Sequence, residues 1–555
     1  MTTHALPDWR GPALVGGAWA LLALVAMLLV FGGPEQVVHQ SPDEAAMARA
    51  VRLVEASGRP TEPVPFDDPA GLNHQRIWVR ADGATLPAYP PVPMLVQGFA
   101  RRVPLGSWLL VLLPAAGLGA AVTALGLSLR DRWWLAALAP GLAFPATYWW
   151  LRPWHNTSQM LGVAGLAALA AVVFVRTRRP WAGVATIGLA TVAAAFRPDQ
   201  VHLLLGLSLV AGVVAGRDAR ERWQWVGAHV LAGIAWVGLN VLGNLATTGG
   251  ALTSSIDLLE FPDEIRSAGQ DLPFPLPQLT IIFARRGVPD PVAVVEHVRR
   301  YLVAWGPILF LTVPAVATLA VGAWRTRRRL RVPAVAAAWA TTALLAWYAI
   351  SRVSSTDFGT KFGGAGMSHS FPRYTALVFV GLAVAAVVGV SRLRMRRTSL
   401  AAVALLVVGA LGGATYTTVE HGGDETLGWL AGHLDDATAY AAALDAQAPA
   451  DAFVYVWKSD KHVWHVRPVG LIQVEQPGEA GRVDIVGLAQ SSAGALAAGY
   501  RPLLTELTPD EARAVQERLA DLGLTLETTS IDLPPLAGTV AAPVYEVVTG
   551  TDGDG

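Results

Sequence analysis

The sequence has no cysteine and little charge. With Cys 0 in 555 residues, the chain cannot form disulfides, Cys-ligated metal sites or iron–sulfur clusters. Charged residues make up 15% of the chain, whereas soluble proteins carry roughly 25%. A water-soluble protein of this size needs more charge to cover its surface. The net charge of +0 gives no indication of nucleic-acid binding, and no zinc-finger or helix-turn-helix pattern is present, so we expect no nucleic-acid partner.

Long apolar stretches account for much of the chain. Hydrophobic residues make up 53% of it, and several stretches reach about 20 residues, the length that crosses a bilayer as a helix. We therefore predict an α-helical polytopic protein of the cell membrane with about 11 transmembrane helices, for which the lipid bilayer is a partner. The predicted spans are 12–33, 104–129, 133–151, 158–175, 181–196, 201–216, 225–245, 301–323, 332–350, 374–390 and 399–419.

Basic residues in the short loops predict the orientation of these spans. Seventeen arginines fall in one set of alternate loops, and five basic residues fall in the other set. The arginine-rich loops face the cytoplasm by this criterion, which places the N-terminus inside. The first span then acts as a signal anchor, and residues 421–555 lie outside the membrane.

The pattern divides the chain into two predicted domains. Residues 1–420 form a transmembrane module whose first outer loop covers about 34–103, and residues 421–555, here called the tail, form a small extracytoplasmic α/β domain. In the tail, Thr508 followed by Pro509 and Glu511 predicts a capped helix start, and Gly523 predicts its stop. The predicted strands are Ala452–Trp457, Val483–Val486, Leu524–Thr529 and Val544–Val548.

An acidic pair opens a helix just outside the first span. Ser41 can cap this helix, Pro42 suits its first turn, and Asp43 and Glu44 favour its positive end. Apolar residues farther along, up to Gly58, predict a helix that lies along the membrane surface. One interpretation is that the two acids only complete the helix start. The other is that a carboxylate held at the lipid–water boundary meets a lipid-linked substrate and its acceptor.

Several basic residues lie in the outer loops, against the positive-inside trend. One interpretation is that each extends to lipid headgroups. The other is that they converge to bind a phosphate or pyrophosphate leaving group, to which arginine offers a planar fork and lysine a point charge. The residues concerned are Arg152 and His155 after the third span, Arg197 after the fifth, and Lys361, His369 and Arg373 before the tenth.

The order of these pieces resembles the membrane glycosyltransferases of the GT-C type, in particular the bacterial polyprenyl-phosphate-sugar-dependent mannosyl and aminoarabinose transferases. The resemblance covers roughly residues 1–390. The chain lacks the lysine of the family's Glu-Lys-Pro-Pro stretch, and the tail carries no family motif. The matching pieces are Asp43-Glu44 through Ser57-Gly58, Tyr89-Pro90-Pro91, Trp154-His155-Asn156, Arg197-Pro198, Asn244 to Gly249, and Pro372-Arg373-Tyr374.

The resemblance implies a function and roles for these residues. It implies transfer of a sugar from a polyprenyl-phosphate-linked donor to an envelope glycan, lipid or protein acceptor on the outer face, with inversion at the anomeric carbon. Asp43 is then the general base, with Glu44 in reserve. Some family members use a divalent metal ion and others do not, so the metal stays open. The residues that bind the donor phosphate are Arg373, Lys361, His369, Arg152 and His155.

A transporter or flippase of a lipid-linked substrate is the alternative function. Charged residues inside the membrane would favour it, but most charges lie in predicted loops and the two halves show no inverted repeat. A non-catalytic scaffold that binds partners through the tail is a further alternative. The sequence has no nucleotide-binding loop or zinc-protease motif that indicates another enzyme class.

Overall fold

The computed structural model of the chain is mostly helical and falls into two compact units. Unit 1 comprises Met1–Pro34, Pro90–Pro93 and Pro104–Trp429, and unit 2 comprises Glu35–Tyr89, Met94–Val103 and Leu430–Gly555. The residues that the structure describes are 9–39, 41–68, 70, 72, 78–81, 83–87, 89–216, 218–251, 373, 376–391, 396–419, 426–456, 459–472, 484–536 and 542–550.

The helices and strands of these residues are numbered in chain order. The α-helices are α1 (Arg10–Phe31), α2 (Pro42–Ser57), α3 (Pro91–Arg101), α4 (Leu109–Leu129), α5 (Ala139–Leu142), α6 (Phe144–Trp150), α7 (Asn156–Thr177), α8 (Pro180–Phe196), α9 (Val201–Ala215), α10 (Ala219–Thr247), α11 (Ala376–Ser391), α12 (Arg396–Thr418), α13 (Leu427–Gln447), α14 (Asp460–Val463), α15 (Ile485–Ala497) and α16 (Pro509–Ala520). The strands are β1 (Glu62–Pro63), β2 (Trp78–Ala81), β3 (Ala84–Pro87), β4 (Ala452–Val456), β5 (Val469–Leu471), β6 (Arg501–Leu504), β7 (Leu524–Thr528) and β8 (Tyr545–Thr549).

Unit 1 contains helices that are long and apolar enough to cross a membrane, as the composition predicts. Within the described residues there are 5 such stretches, fewer than the 11 predicted. The predicted fifth, sixth and tenth spans form helices of 17, 15 and 16 residues, below the length of about 20 that a span needs. The predicted spans 301–323 and 332–350 lie outside the described residues. The five stretches are Arg10–Phe31, Gly106–Leu142, Asn156–Thr177, Ala219–Thr247 and Leu400–Thr418.

The predicted third span, 133–151, is not one continuous helix. A 3-10 helix covers Arg130–Leu138, and the short helices α5 and α6 follow it. Pro140 and Pro145 each stand in the first turn of one of these short helices. Proline lacks a backbone N–H and its ring clashes with the preceding turn, so each proline ends one helix and begins the next. The hydropathy pattern alone does not show these breaks, because the prolines lie among apolar residues.

Close approach of small residues holds the first long helices of unit 1 together. Helix α4 packs against α1 on one side and α7 on the other. A Cβ atom added to Gly117 of α4 would overlap the backbone of Gly162 in α7, and one added to Gly16 of α1 would overlap Gly119. Glycine at these positions therefore lets the helix backbones touch, as is common in membrane helix pairs.

Unit 2 combines the first outer loop with the tail. The loop forms α2, α3 and a three-stranded antiparallel sheet in the order β1-β3-β2. The tail forms a five-stranded sheet in the order β5-β4-β6-β8-β7, in which β4 is parallel to β5 and β6, and β8 is antiparallel to β6 and β7. This mixed sheet with its helices agrees with the predicted α/β character of the tail.

The loop also contributes side chains to the core of the tail. Phe66 and Leu72 of the loop pack with Phe453 and Tyr455 of β4 and with Leu488 of α15. The loop and the tail therefore share one hydrophobic core, although more than 300 residues separate them in the sequence. The predicted boundary between domains 1–420 and 421–555 stays a prediction.

Helix starts predicted from local signals are present, and one strand prediction is wrong. Ser41 and Thr508 both form capping boxes, with Glu44 and Glu511 respectively. Residues 485–486 were predicted as strand, but Asp484 accepts a hydrogen bond from the Gly487 N–H at 2.8 Å and caps α15 instead. A short apolar run does not distinguish a strand from a helix start.

The prediction that α2 lies along the membrane surface stays a prediction, but protein covers the apolar residues on which it was based. Its apolar residues Ala46, Ala50 and Val54 are fully buried within unit 2. Helix α2 packs against β3 and against α14 of the tail. An amphipathic pattern indicates that one face is buried, but it does not indicate whether lipid or protein buries it.

Candidate functional site

The polar residues between α6 and α7 form a rigid, buried turn in unit 1. The Ser158 hydroxyl donates to the Trp150 carbonyl at 2.5 Å, and the Gln159 amide donates to the carbonyls of Pro153 at 2.7 Å and Leu110 at 2.9 Å. Both side chains are fully buried. These bonds fix the turn that carries Arg152 and His155, so both side chains project from an ordered backbone.

The turn brings Arg152, His155 and Arg373 together around Trp149; we call these three residues the cation cluster. The guanidinium carbon of Arg152 lies 4.9 Å from the centre of the Trp149 ring, and that of Arg373 lies 5.9 Å away. The His155 ring centre is 4.9 Å from the same indole. Cations within about 6 Å of an indole face are attracted by the ring's electrons. All three residues of the cluster therefore contact Trp149.

His155 lies between the start of α7 and Arg373. Its Nδ1 accepts a hydrogen bond from the Thr157 backbone N–H at 3.1 Å and so caps the start of α7. In a neutral imidazole, the ring nitrogen that accepts carries no proton and the other nitrogen carries it, which for His155 is Nε2. Nε2 lies 3.4 Å from Nη1 of Arg373. Both of these nitrogens are hydrogen-bond donors, and an acceptor oxygen at this position would receive a bond from each.

Arg152 is the most deeply buried member of the cation cluster. Its side chain is 1% exposed, and its Nη1 donates to the Tyr148 hydroxyl at 3.1 Å. Guanidinium groups bind phosphate oxygens through paired hydrogen bonds, so two guanidinium groups against one indole are suited to an anionic ligand.

Arg197, one of the outer-loop cations of the sequence analysis but not of its donor-phosphate set, supports the same turn. It is 4% exposed, and its Nη1 donates to the Thr157 hydroxyl at 2.7 Å, with Asn156 Oδ1 at 3.4 Å. Arg197 thus braces the first residues of α7, directly after the capping His155. The signal was visible as an arginine before a proline at the outer end of a predicted span, but no sequence pattern connects it to α7.

The predicted acids lie in unit 2, at the start of α2. The Ser41 hydroxyl accepts from the Asp43 N–H at 3.2 Å, and Glu44 Oε2 accepts from the Ser41 N–H at 3.4 Å. Glu44 therefore has a structural role in the capping box. The cap uses the backbone of Asp43 and not its carboxylate, and Asp43 is the more exposed of the two acids, at 9% against 2%.

Two of the predicted donor-phosphate residues, Lys361 and His369, lie outside the described residues. Asp43 and Glu44 belong to unit 2, whereas Arg152, His155 and Arg373 belong to unit 1. The prediction that the acids and the cations share one pocket therefore stays a prediction.

The cation cluster does not fit a divalent metal ion. Arginine is not a metal ligand in its charged form, and the Nδ1 of His155 is already occupied by the backbone while its Nε2 carries the proton. Within the part of the chain that the structure describes, no group of three or more His, Asp or Glu side chains is placed to hold a metal.

Comparison with known proteins adds no assignment. The chain matches no family model, and no curated protein matches it.

Proposed function

We propose that the chain is a membrane glycosyltransferase that moves a sugar from a polyprenyl-phosphate-linked donor to an envelope glycan, lipid or protein acceptor. The proposal depends above all on the cation cluster, in which the buried Arg152 and His155 and the half-buried Arg373 bring N–H donors together in a unit with helices long enough to cross a membrane. A lipid phosphate is an anion attached to an apolar chain. Its phosphate suits the N–H donors, and its chain suits the apolar helices. The resemblance to GT-C enzymes supports the same function.

The proposed reaction is a single displacement. The acceptor hydroxyl oxygen forms a bond to the anomeric carbon, the bond from that carbon to the phosphate oxygen breaks, and the bonding electrons leave with the polyprenyl phosphate. The cation cluster stabilises the negative charge that develops on the departing phosphate. Asp43 takes the proton from the acceptor hydroxyl, as the resemblance implies. One attack from the opposite face inverts the anomeric configuration.

Arg373→Ala tests the assignment of the cation cluster. A hydrogen bond to a charged group contributes about 1.5–3 kcal/mol, so loss of Arg373 should weaken binding of a synthetic polyprenyl monophosphate by about 10- to 100-fold. Binding is measured on the full chain in nanodiscs. Arg132→Ala is the matched control, because Arg132 is a half-buried arginine of unit 1 whose Nη1 donates to the Val390 carbonyl and lies outside the cluster.

The uncharged polyprenol of the same length shows which part of the ligand the cluster binds. The wild-type protein should prefer the monophosphate, and Arg373→Ala should lose that preference while it still binds polyprenol. Equal monophosphate binding by Arg373→Ala and by Arg132→Ala would contradict a phosphate-binding role for Arg373. Competition by inorganic phosphate separates recognition of the phosphate group from recognition of the lipid.

A transporter or flippase is the second candidate, and one observation favours it. Arg152 and Arg197 are buried at 1% and 4% exposure within the helical unit, and buried charge inside a membrane protein is typical of a transport pathway. Vesicles containing the protein and a labelled lipid-linked sugar distinguish the two functions. A transporter moves the label across the bilayer with its sugar–phosphate bond intact, whereas a transferase releases polyprenyl phosphate.

A further inference from the structure

Three histidines from distant parts of the sequence meet inside unit 2. His39 precedes α2 in the first outer loop, His433 lies on α13, and His462 lies on α14. The rings of His433 and His462 are 5.3 Å apart between centres, and the His39 ring stacks on Trp464 at 6.5 Å. We call His39, His433 and His462 the histidine cluster. It joins the loop to the tail.

His462 can be accommodated only in its neutral form. It is 1% exposed, and its ring is hydrogen-bonded to the backbone of His39. Its Nδ1 is buried and has no hydrogen-bond partner among the described residues, so the bond to the His39 carbonyl comes from Nε2–H. A second proton would be placed on the buried Nδ1, where no described acceptor receives it, and would cost free energy.

The charges around the cluster oppose that second proton as well. Burial lowers the pKa of His462 well below its usual value, and Lys461, His433 and His39 lower it further, while the hydrogen bond to the His39 backbone raises it. Next to it, burial lowers the pKa of His465 to about 4, with Arg52 of α2 acting in the same direction and Asp445 of α13 in the opposite one.

The histidine cluster lies next to the N-terminal start of α2, the helix that carries the predicted acids Asp43 and Glu44. His39 is two residues before Ser41, the residue that caps α2. Helix α2 packs against α14, which contains His462. A change at His462 therefore acts on the contact that holds the start of α2 to the tail.

We propose that the histidine cluster is an acid-sensitive latch, which holds the segment before α2 and α2 itself to the tail in neutral solution and releases them on acidification. The released state binds protons that the closed state excludes, so acid favours release. The contacts of the latch lie within unit 2, and the latch is tested separately from the proposed transfer of sugar.

The direction of the pH effect follows from the two protonation states. In the released state His462 titrates near its ordinary pKa of about 6.5, whereas in the closed state it stays neutral to a lower pH. The stabilisation by the latch is therefore complete above about pH 6.5 and is lost as the pH falls toward the closed-state pKa. One such site changes the equilibrium by up to tenfold per pH unit, or about 30-fold at pH 5.

The absence of cysteine from the chain permits a direct test on the full-length protein in nanodiscs. Ala50→Cys places one thiol at a fully buried position of α2, and Ala56→Cys places one at an exposed position of the same helix. The labelling rate of the first divided by that of the second cancels the intrinsic pH dependence of thiol chemistry. This ratio should rise by up to about 30-fold between about pH 8 and about pH 5.

Two further variants test whether titration of His462 causes the change of the labelling ratio with pH. His462→Gln keeps a side-chain donor for the His39 carbonyl but does not titrate, so the rise of the ratio on acidification should be smaller than in the wild type, with only the contribution of His465 left. Val463→Ala removes buried methyl groups from the neighbouring position of α14 and should raise the ratio by the same factor at both pH values.

A ratio that does not change with pH in the wild-type protein overturns the latch, and so does a full response in His462→Gln. If His462→Gln is already open at pH 8, His433→Gln becomes the deciding variant. It removes the imidazole that faces His462, and the rise on acidification should then be smaller than in the wild type. An undiminished rise in His433→Gln would also overturn the cluster as the origin of the effect.

Discussion

At the scale of single residues, Trp149 organises the candidate site. It contacts both guanidinium groups of the cation cluster and the His155 ring. Arg152 and Arg373 are far apart in the sequence, and each alone is equally compatible with an arginine that extends to lipid headgroups. Their common contact with one indole brings the two guanidinium groups together, as the proposed phosphate binding requires. The cap formed by His155 adds a neutral donor beside the Arg373 guanidinium.

The two acids of α2 lead to a prediction that separates their roles. Asp43→Asn should reduce the rate of sugar transfer by about 10²- to 10⁴-fold, the usual contribution of a general base. The protein should stay folded, because the Ser41 cap binds the backbone N–H of residue 43 and not its carboxylate. The measurement is release of polyprenyl monophosphate from a labelled donor by the full chain in native membranes.

Glu44→Gln is the matched control for Asp43→Asn. Glutamine keeps the acceptor oxygen that the capping box needs, so α2 should persist and transfer should continue. If instead Glu44→Gln abolishes transfer and Asp43→Asn does not, the base is Glu44. Full activity in both variants would contradict a catalytic acid in this helix.

At the scale of helices and strands, local signals and packing contribute differently. The capping boxes at Ser41 and Thr508 were predictable because a cap depends on residues within one turn. The break of the predicted third span into α5 and α6 was not predicted from the apolar pattern, although Pro140 and Pro145 were visible. Every residue of α5 and α6 is buried, so surrounding protein tolerates the breaks that lipid would not.

The contact between α4 and α7 yields a stability prediction. Gly117→Ala places a Cβ against the Gly162 backbone, and such overpacking costs about 1–3 kcal/mol. The midpoint of thermal unfolding in detergent should therefore fall. Gly188→Ala in α8 is the control, since a Cβ at this position meets no atom within 4 Å, and it should leave stability unchanged or raise it. Equal effects of the two substitutions would contradict the close approach of the helices.

At the scale of the whole molecule, a buried carboxylate joins the first outer loop to the tail within unit 2. Asp68 of the loop accepts from the Leu72 N–H at 2.7 Å and from the Ser491 hydroxyl at 2.7 Å, and Ser491 also bonds to the Tyr455 hydroxyl at 2.7 Å. Burial raises the pKa of Tyr455, so its hydroxyl stays protonated. This chain of bonds connects the loop, β4 and α15.

Asp68→Ala should separate the loop from the tail. It leaves the buried Ser491 hydroxyl and the Leu72 N–H without their acceptor, and each such loss costs about 1–3 kcal/mol. Limited proteolysis of the full chain should then cut the loop faster than in the wild type. Asp67→Ala is the neighbouring control, because Asp67 is exposed. Equal protection in the two variants would show that Asp68 does not hold the loop.

The sequence alone determined that the chain is rich in helices apolar enough for a membrane, and where some of its helices begin. Scarce charge and long apolar stretches indicate a membrane protein because every exposed surface must suit its solvent. The helix starts at Ser41 and Thr508 follow from hydrogen bonds within a single turn. The resemblance to GT-C enzymes arose from such short pieces and their order, and the function that it implies stays a proposal.

Only the tertiary structure decided which distant surfaces meet. It placed Arg373 beside His155 across 218 residues of sequence and bonded Asp68 to Ser491 across 423. It also buried the apolar face of α2 against protein. The physical reason is that periodicity and caps report interactions within one or two turns, whereas the partner of an apolar face or a buried charge depends on the path of the entire chain.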